Sequence, residues 1–121
     1  MPENVVVLGA SPKSERYSHK AMIMLGENGY NVIPVHPAVD KINGIKVKAD
    51  LSDINEEVHT VTLYVNGSMV ETMVDKIVAL KPKRVIFNPG TESANASKAF
   101  SGHGIEVLEA CTLVLLRTKQ F

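Results

Sequence analysis

Five short runs of apolar, mostly β-branched residues recur along the chain, separated by stretches whose apolar residues fall at helical spacing. The first run is apolar at every position, which is typical of a strand buried on both faces of a parallel sheet. Shorter elements are predicted at residues 45–47, as a strand, and 51–54, as a helical turn. The five main strands are predicted at Val5–Leu8, Val32–Val35, Val58–Val65, Val85–Phe87 and Ile105–Leu108.

Helices are predicted between these strands, from apolar residues three and four positions apart. The first is capped by Ser18 and ends at Gly29, because serine caps helix N-termini and glycine takes a left-handed backbone without a Cβ penalty. The second opens at Ser68–Glu71, which has the spacing of a capping box. Thr91 is the predicted cap of a third helix over residues 92–101.

The alternation of strands and helices predicts an α/β protein with a parallel sheet of about five strands and helices on both faces. A chain of 121 residues makes one domain, residues 1–121, whose tail from 111 to 121 fits either a helix or a sixth strand. Ligands of such sheets bind outside the carboxyl ends of the strands, where the strand order switches. The residues that directly follow each strand are therefore the candidates for function.

Charge and composition exclude several classes of partner. Lys and Arg total 13 and Asp and Glu total 13, so no global basic field attracts nucleic acid. The lone cysteine rules out an intrachain disulfide and a cysteine-rich zinc site, and no two histidines have the spacing of metal ligands. No apolar run approaches the roughly 20 residues of a membrane span, and the first residues predict no signal peptide. We expect a cytoplasmic protein without nucleic-acid, membrane or metal partners.

The loop after the first strand carries the chemistry of an anion site. Gly9 permits a tight turn and a close approach of the backbone, and Ser11 and Ser18 offer hydroxyl groups. Lys13 and Arg16 add positive charge beside the free N–H groups of the helix that follows. Together these features predict binding of a phosphate or pyrophosphate group.

A dinucleotide fingerprint is not present in this loop. The three glycines of G-x-G-x-x-G correspond here to Gly9, Ser11 and Ser14, and the nearest acidic residue after the second strand is Asp40. Both observations disfavour NAD. The sequence shows no Ser-His-Asp constellation and no G-x-S-x-G turn, so we expect a binding module rather than an enzyme.

Residues 4–54 resemble a known family. Its pattern is an apolar strand, G-x-S, a basic loop and a helix, then [HN]-G-Y-x-V-x-P-V-[NH]-P, and then G-x-x-x-x-x-S-L-x-D-I. The matching residues are Gly9 and Ser11, the string Asn28–Pro37, Gly44 and Leu51–Ile54. On these motifs the chain resembles the CoA-binding domain family, small stand-alone relatives of the CoA-binding domain of succinyl-CoA synthetase.

The resemblance implies a Rossmann-like domain that binds coenzyme A or an acyl-CoA without catalysing a reaction. It implies that the loop after the first strand holds the pyrophosphate. The residues that would do so are Gly9, Ala10, Ser11, Lys13 and Arg16.

The same resemblance places the adenosine beside Pro34, His36 and Pro37, after the second strand. Lys41 is the candidate partner of the 3′-phosphate. The other histidines, His19 among them, are expected at the surface. Residues of later loops would border the rest of the ligand, namely Asn66, Asn88 and Gly90.

Two departures from the family pattern keep alternatives open. The third strand ends in Tyr64–Gly67, where relatives usually carry Arg or Phe-Arg, and the tail is apolar at Leu113–Leu116, where many relatives are polar. His36 and Lys41 also suit the 2′-phosphate of NADP(H), so the alternative is a nucleotide-dependent oxidoreductase or a regulatory nucleotide-binding module. The apolar tail would also suit a homo-oligomer, a partner subunit, or an interaction protein that no longer uses its pocket.

Overall fold

The computed structural model describes residues 3–121 and shows a five-stranded parallel sheet, with four helices packed against it. The sheet strands are β1 Asn4–Leu8, β2 Asn31–Val35, β5 Thr60–Leu63, β6 Arg84–Phe87 and β7 Glu106–Glu109. A separate hairpin consists of β3 Lys41–Ile42 and β4 Ile45–Lys46. The helices are α1 Tyr17–Glu27, α2 Gly67–Ala79, α3 Ala94–Gly102 and α4 Thr112–Arg117, and a 3₁₀ turn covers Leu51–Asp53. The predicted α/β class and the five main strands are confirmed.

The strands lie in the order β2-β1-β5-β6-β7, and every neighbouring pair is parallel. The chain moves from β1 to β2 on one side and later returns to place β5 on the other side of β1. The loop after β1 leads to a helix on one face of the sheet, and the loop after β5 leads to a helix on the opposite face. These loops diverge and open a crevice at the carboxyl ends of the strands.

Alternate residues of the interior strand β1 face two separate cores. Val5 and Val7 pack against α1 and α4, whereas Val6 and Leu8 pack against α2 and α3. All four side chains are at most 2% exposed. An unpaired polar group at any of these positions would be buried at a large cost, which explains why the run is apolar throughout.

Helix α1 confirms its predicted end and corrects its predicted start. It begins at Tyr17, so Ser18 lies buried inside the first turn and is not the cap. At the other end Gly29 has φ +86°, and the N–H of Tyr30 donates to the carbonyl of Leu25 at 3.0 Å. This is the left-handed helix termination expected of glycine.

The predicted caps of α2 and α3 were wrong by two residues each. The side chain of Asn66 caps α2 by accepting from the N–H of Met69 at 2.9 Å, which places Ser68–Glu71 inside the helix. Ser93 caps α3, and Thr91 instead donates its hydroxyl proton to a carbonyl of the preceding turn. A cap must be the extended residue directly before the first helical one, and each loop offers several polar residues for that place.

The tail forms a helix rather than a sixth strand. Leu113 and Leu116 of α4 are buried, and the ring of Phe121 packs edge-on against Tyr30 with centroids 5.0 Å apart. The buried guanidinium of Arg84 lies 4.3 Å from the centre of the Phe121 ring. No helix within residues 3–121, α4 included, is long and apolar enough to cross a membrane.

Gly9, the residue after β1, is constrained by the strand beside it. Its φ is +90°, and a Cβ built there would lie 3.0 Å from both the carbonyl carbon and oxygen of Tyr64 and 2.9 Å from Val65 Cγ1. The backbone after β1 therefore touches the backbone after β5. Only glycine satisfies both the positive φ and the close approach.

Replacing Gly9 by alanine should lower the free energy of unfolding by about 1–3 kcal/mol, because the substitution strains the backbone and crowds Tyr64. The matched control is Gly26→Ala in α1, where a Cβ meets nothing within 4 Å. That variant should gain roughly 0.5–1 kcal/mol from helix propensity. Urea unfolding of the three proteins measures both effects, and equal stabilities would contradict the assignment.

Candidate ligand-binding site

The crevice contains a cationic cleft of about 550 Å³ on the α1 side of the sheet. We call it the anion cleft. Its lining comes mainly from the β1–α1 loop and the first turn of α1, with contributions from the ends of β2 and β5. The residues are Gly9, Ala10, Ser11, Pro12, Lys13, Arg16, Tyr17, Ser18, His36, Val39 and Tyr64.

The β1–α1 loop is held by backbone bonds that leave one hydroxyl proton free. The N–H groups of Gly9 and Ala10 both donate to the carbonyl of Val35, at 3.1 and 3.2 Å. The hydroxyl oxygen of Ser11 accepts from the N–H of Lys13 at 3.1 Å. Since this bond uses only a lone pair, the Ser11 proton remains available to an anion in the cleft.

The N-terminus of α1 faces this loop without compensation. Within residues 3–121 no side chain caps α1, and its first turn carries no acidic residue. The unpaired N–H groups and the positive end of the helix dipole lie next to Lys13 and Arg16, both exposed. This end of the cleft is therefore suited to a phosphate group.

A second cleft of about 370 Å³ adjoins the first, and we call it the apolar cleft. The two share Gly9, His36 and Tyr64. Its walls come from the ends of β1, β2 and β5, the 3₁₀ turn and one side of α2. The remaining residues are Leu8, Val35, Pro37, Ala49, Asp50, Leu51, Val65, Met69, Met73 and Lys76.

His36 stands between the two clefts in a defined hydrogen-bonding state. Its Nδ1 accepts from the N–H of Ala38 at 3.0 Å. A ring nitrogen that accepts carries no proton, so the neutral ring has its proton on Nε2. His36 therefore brings one N–H donor to the junction of the clefts.

Asp50 and Lys76 form an ion pair in the wall of the apolar cleft. Lys76 Nζ donates to Asp50 Oδ1 at 2.8 Å, and the N–H of Ser52 donates to Asp50 Oδ2 at 3.0 Å. The bond from Lys76, with further bonds from Ser52, holds the pKa of Asp50 well below its usual range. The carboxylate thus stays charged in mildly acidic solution, and its bond with Lys76 holds the 3₁₀ turn against α2.

Asn88, a predicted site residue, is buried in a polar network behind the clefts. Its amide donates to Thr62 Oγ1 at 2.6 Å and to the carbonyl of Leu63 at 2.8 Å, while its Oδ1 accepts from the N–H of Thr112 at 2.8 Å. Both the donor and the acceptor groups of Asn88 are engaged within the protein. The residue connects the ends of β5 and β6 to the start of α4.

The hydroxyl of Tyr64 lies next to this network without joining it. Thr62 and Thr112 are hydrogen-bonded to each other at 2.7 Å, and among the described residues the buried Tyr64 hydroxyl has no partner with hydrogen-bond geometry. Burial raises the pKa of Tyr64 to about 12. The side chain is therefore a neutral phenol with an unsatisfied polar atom.

His19 is buried, so its predicted position at the surface was wrong. Its Nδ1 lies 2.9 Å from the carbonyl of Ser11, which can only accept, so Nδ1 carries the proton. Its Nε2 then accepts from the amide of Asn43, 3.1 Å away in the β3–β4 turn. His19 links the anion cleft loop to the hairpin. Its spacing of three from buried Met22 was a signal for this inward position.

The predicted site residues divide into two groups. Those that line a cleft are Gly9, Ala10, Ser11, Lys13, Arg16, Ser18, His36 and Pro37. The others lie around the clefts: Pro34 is inside β2 and paired with Val7, Lys41 is exposed in β3, Asn66 caps α2, Asn88 is buried, and Gly90 occupies an exposed turn with φ +91°. Sequence reasoning missed the apolar cleft, because its walls come from five different elements of the fold.

A further cleft, of about 570 Å³, lies at the opposite end of the sheet. It is lined by the amino ends of the strands and includes Glu3, paired with His59 at 2.9 Å. Among residues 3–121 its lining includes no helix N-terminus, and it mixes acidic with basic side chains. Strand topology and charge therefore favour the carboxyl end as the site.

The strand order and the paired clefts at the switch point define a Rossmann-like α/β protein with a ligand crevice between a cationic loop and an apolar pocket. The chain belongs to the CoA-binding domain family, whose model matches residues 3–117. The resemblance noted from the motifs is confirmed, and the match extends well past residue 54.

Several known proteins are similar to this chain. The crystal structure of an uncharacterized protein is 37% identical, with a TM-score of 0.88 over 100% of this chain and 99% of that one. A Thermus thermophilus protein is 28% identical, with a TM-score of 0.89 over 99% and 91%. Uncharacterized protein YneT of Bacillus subtilis is 29% identical over 62 residues, so the match covers about half of each chain, 51% and 46%.

One larger enzyme shares the fold. The dinucleotide-forming acetyl-coenzyme A synthetase 1 of Ca. Korarchaeum cryptofilum superposes with a TM-score of 0.77 over 90% of this chain and 26% of that one. At 20% identity this likeness shows the fold alone.

The ion pair predicts how stability depends on acid. Because the pKa of Asp50 is lower in the folded than in the unfolded chain, its contribution is complete above the ordinary value near 3.8 and is lost as the pH falls toward the folded value. Asp50→Asn should therefore weaken the loss of stability below about pH 4, as measured by urea unfolding across pH. Asp75→Asn, on an exposed α2 residue, is the control and should retain the wild-type profile.

The unsatisfied Tyr64 hydroxyl predicts an asymmetry between two conservative substitutions. Tyr64→Phe should leave the free energy of unfolding unchanged or raise it by up to about 1 kcal/mol, because no hydrogen bond is lost. Thr62→Val should lower it by about 1–3 kcal/mol, because Asn88 and Thr112 lose a partner. A clear loss in Tyr64→Phe would mean that the hydroxyl has a partner in solution.

Proposed function

We propose that this protein binds coenzyme A or an acyl-CoA as a non-catalytic module, such as a carrier, a sensor or a partner subunit. The observation that carries the proposal is the uncapped N-terminus of α1, which lines the anion cleft together with Lys13 and Arg16 and adjoins the apolar cleft. Coenzyme A combines phosphate groups with an adenosine and therefore needs both kinds of surface. The family description supports the same ligand.

The pyrophosphate would lie over the β1–α1 loop. Gly9 and Ala10 line the anion cleft at the start of this loop, and the Ser11 hydroxyl can donate its free proton. Lys13 and Arg16 would add charge-assisted hydrogen bonds at the open side. Ser18 lies behind them in the first turn of α1.

The adenosine would lie in the apolar cleft beside His36 and Pro37. The Nε2–H of His36 can donate to the ribose or to a phosphate at the junction of the clefts. Pro34 would have an indirect role, because it lies in β2 and helps to position His36 and Pro37, which directly follow that strand. Lys41, exposed in β3, is the proposed partner of the 3′-phosphate.

The remaining predicted residues would shape the rim of the site. Asn66 and Gly90 belong to the loops after β5 and β6, and Asn88 positions both loops through its buried bonds. The thiol of bound coenzyme A supplies the point at which an acyl group is carried. NADP(H) presents a similar adenosine phosphate, so it is the competitor against which the proposal is tested.

Isothermal titration with CoA, NADP, NAD and ATP tests the proposal, and we expect binding of CoA alone. Changing Lys13 and Arg16 together to alanine should weaken CoA binding by about 2–4 kcal/mol, because each cation makes a charge-assisted contact. The control replaces Lys98 and Arg117, which are outside both clefts, and should bind as the wild type does.

Two results would contradict this assignment. Unchanged affinity in the Lys13/Arg16 variant would remove the loop from the site. A signal from NADP with none from CoA would favour the oxidoreductase alternative. Gly9 is not a suitable test of binding, because its substitution strains the fold itself.

A further inference from the structure

Asp50 and Lys76 are the two charged residues of the apolar cleft, and neither lines the anion cleft. Lys76 lies on the same stripe of α2 as Met69 and Met73, since residues four and three positions apart share a helix face. Asp50 approaches from the opposite wall, as the residue that caps the 3₁₀ turn. The two walls thus meet at a charged pair beside a mostly apolar slot.

The pair retains unused hydrogen-bonding capacity. Lys76 Nζ has three protons and directs one to Asp50 Oδ1, 2.8 Å away. Asp50 Oδ1 accepts only this bond among the described residues, because the bonds from Ser52 go to Oδ2. A donor and an acceptor therefore stand 2.8 Å apart at the edge of the slot.

This arrangement is complementary to one edge of adenine. The Watson–Crick edge of adenine carries an amino group, which donates, beside the ring nitrogen N1, which accepts. We propose that Asp50 accepts from the adenine amino group while Lys76 donates to N1, so that the pair determines base specificity. The inference rests on the proposed function, since it assumes that the adenosine enters the apolar cleft.

A purely structural role explains the pair less well. Its side chains are 52% and 41% exposed, so solvent screening keeps its contribution to stability, including the acid dependence predicted above, small. A neutral side chain such as serine or asparagine could also cap the 3₁₀ turn, so the cap that Asp50 supplies does not by itself account for a carboxylate paired with Lys76.

The test compares CoA with 1,N6-etheno-CoA, which has the same phosphates and thiol but blocks both the amino group and N1. Isothermal titration should show that the wild type prefers CoA by roughly tenfold or more, the value of a hydrogen bond to a charged group. Lys76→Met keeps the length of the side chain, and Asp50→Asn keeps the cap of the turn. Each should bring the preference down toward one, whereas Lys98→Met on α3 should retain it.

The outcomes separate the two proposals. If the wild type binds CoA and both cleft variants keep its full preference over etheno-CoA, the base-specificity inference is overturned and the proposed function stands. If the wild type does not bind CoA, both are overturned. Melting temperatures of the variants show that each is folded, and because Asp50→Asn retains the turn cap, it tests the inference even if Lys76→Met is unstable.

Discussion

The contact between the backbone after β1 and the backbone after β5 shapes the ligand edge of this protein. Neighbouring strands lie about 4.8 Å apart, so two loops that leave them in opposite directions begin almost in contact. Gly9 allows this because it has no side chain to separate them. From that point the loop after β1 turns toward α1 and the loop after β5 turns toward α2. The anion cleft forms on the α1 side of this contact and the apolar cleft on the α2 side. The buried His19 then holds the β1–α1 loop in place, because its Nδ1–H donates to the carbonyl of Ser11.

The strands were predictable because their burial leaves a direct signal in the sequence. Val5–Leu8 is apolar throughout because helices cover both faces of β1. The first residues of the helices were less predictable from the sequence than the strands. The loops before α1, α2 and α3 each contain more than one residue able to cap a helix, and the choice of Asn66 or Ser93 depends on backbone geometry that tertiary packing sets.

The two clefts differ in the same way, because one of them has a local signal in the sequence and the other does not. The anion cleft could be predicted because most of its lining is one continuous loop between β1 and α1. The apolar cleft could not, because Leu8, Leu51, Val65 and Met73 come together only when the sheet has formed. The bond between Asp50 and Lys76 likewise joins a 3₁₀ turn to a helix that lies much later in the chain. Sequence patterns describe local surroundings, and these pairs are not local.

The position of β1 between β2 and β5 also affects how the chain is made. Val5 pairs with Val32 on one edge and with Thr60 on the other, so β1 completes its pairing only after β5, which follows β2 in the sheet, has been synthesised. Pairings between distant segments slow folding, and an apolar strand with a free edge is prone to aggregate. The nascent chain therefore passes through a stage in which an apolar strand that is buried on both faces of the final sheet still has a free edge.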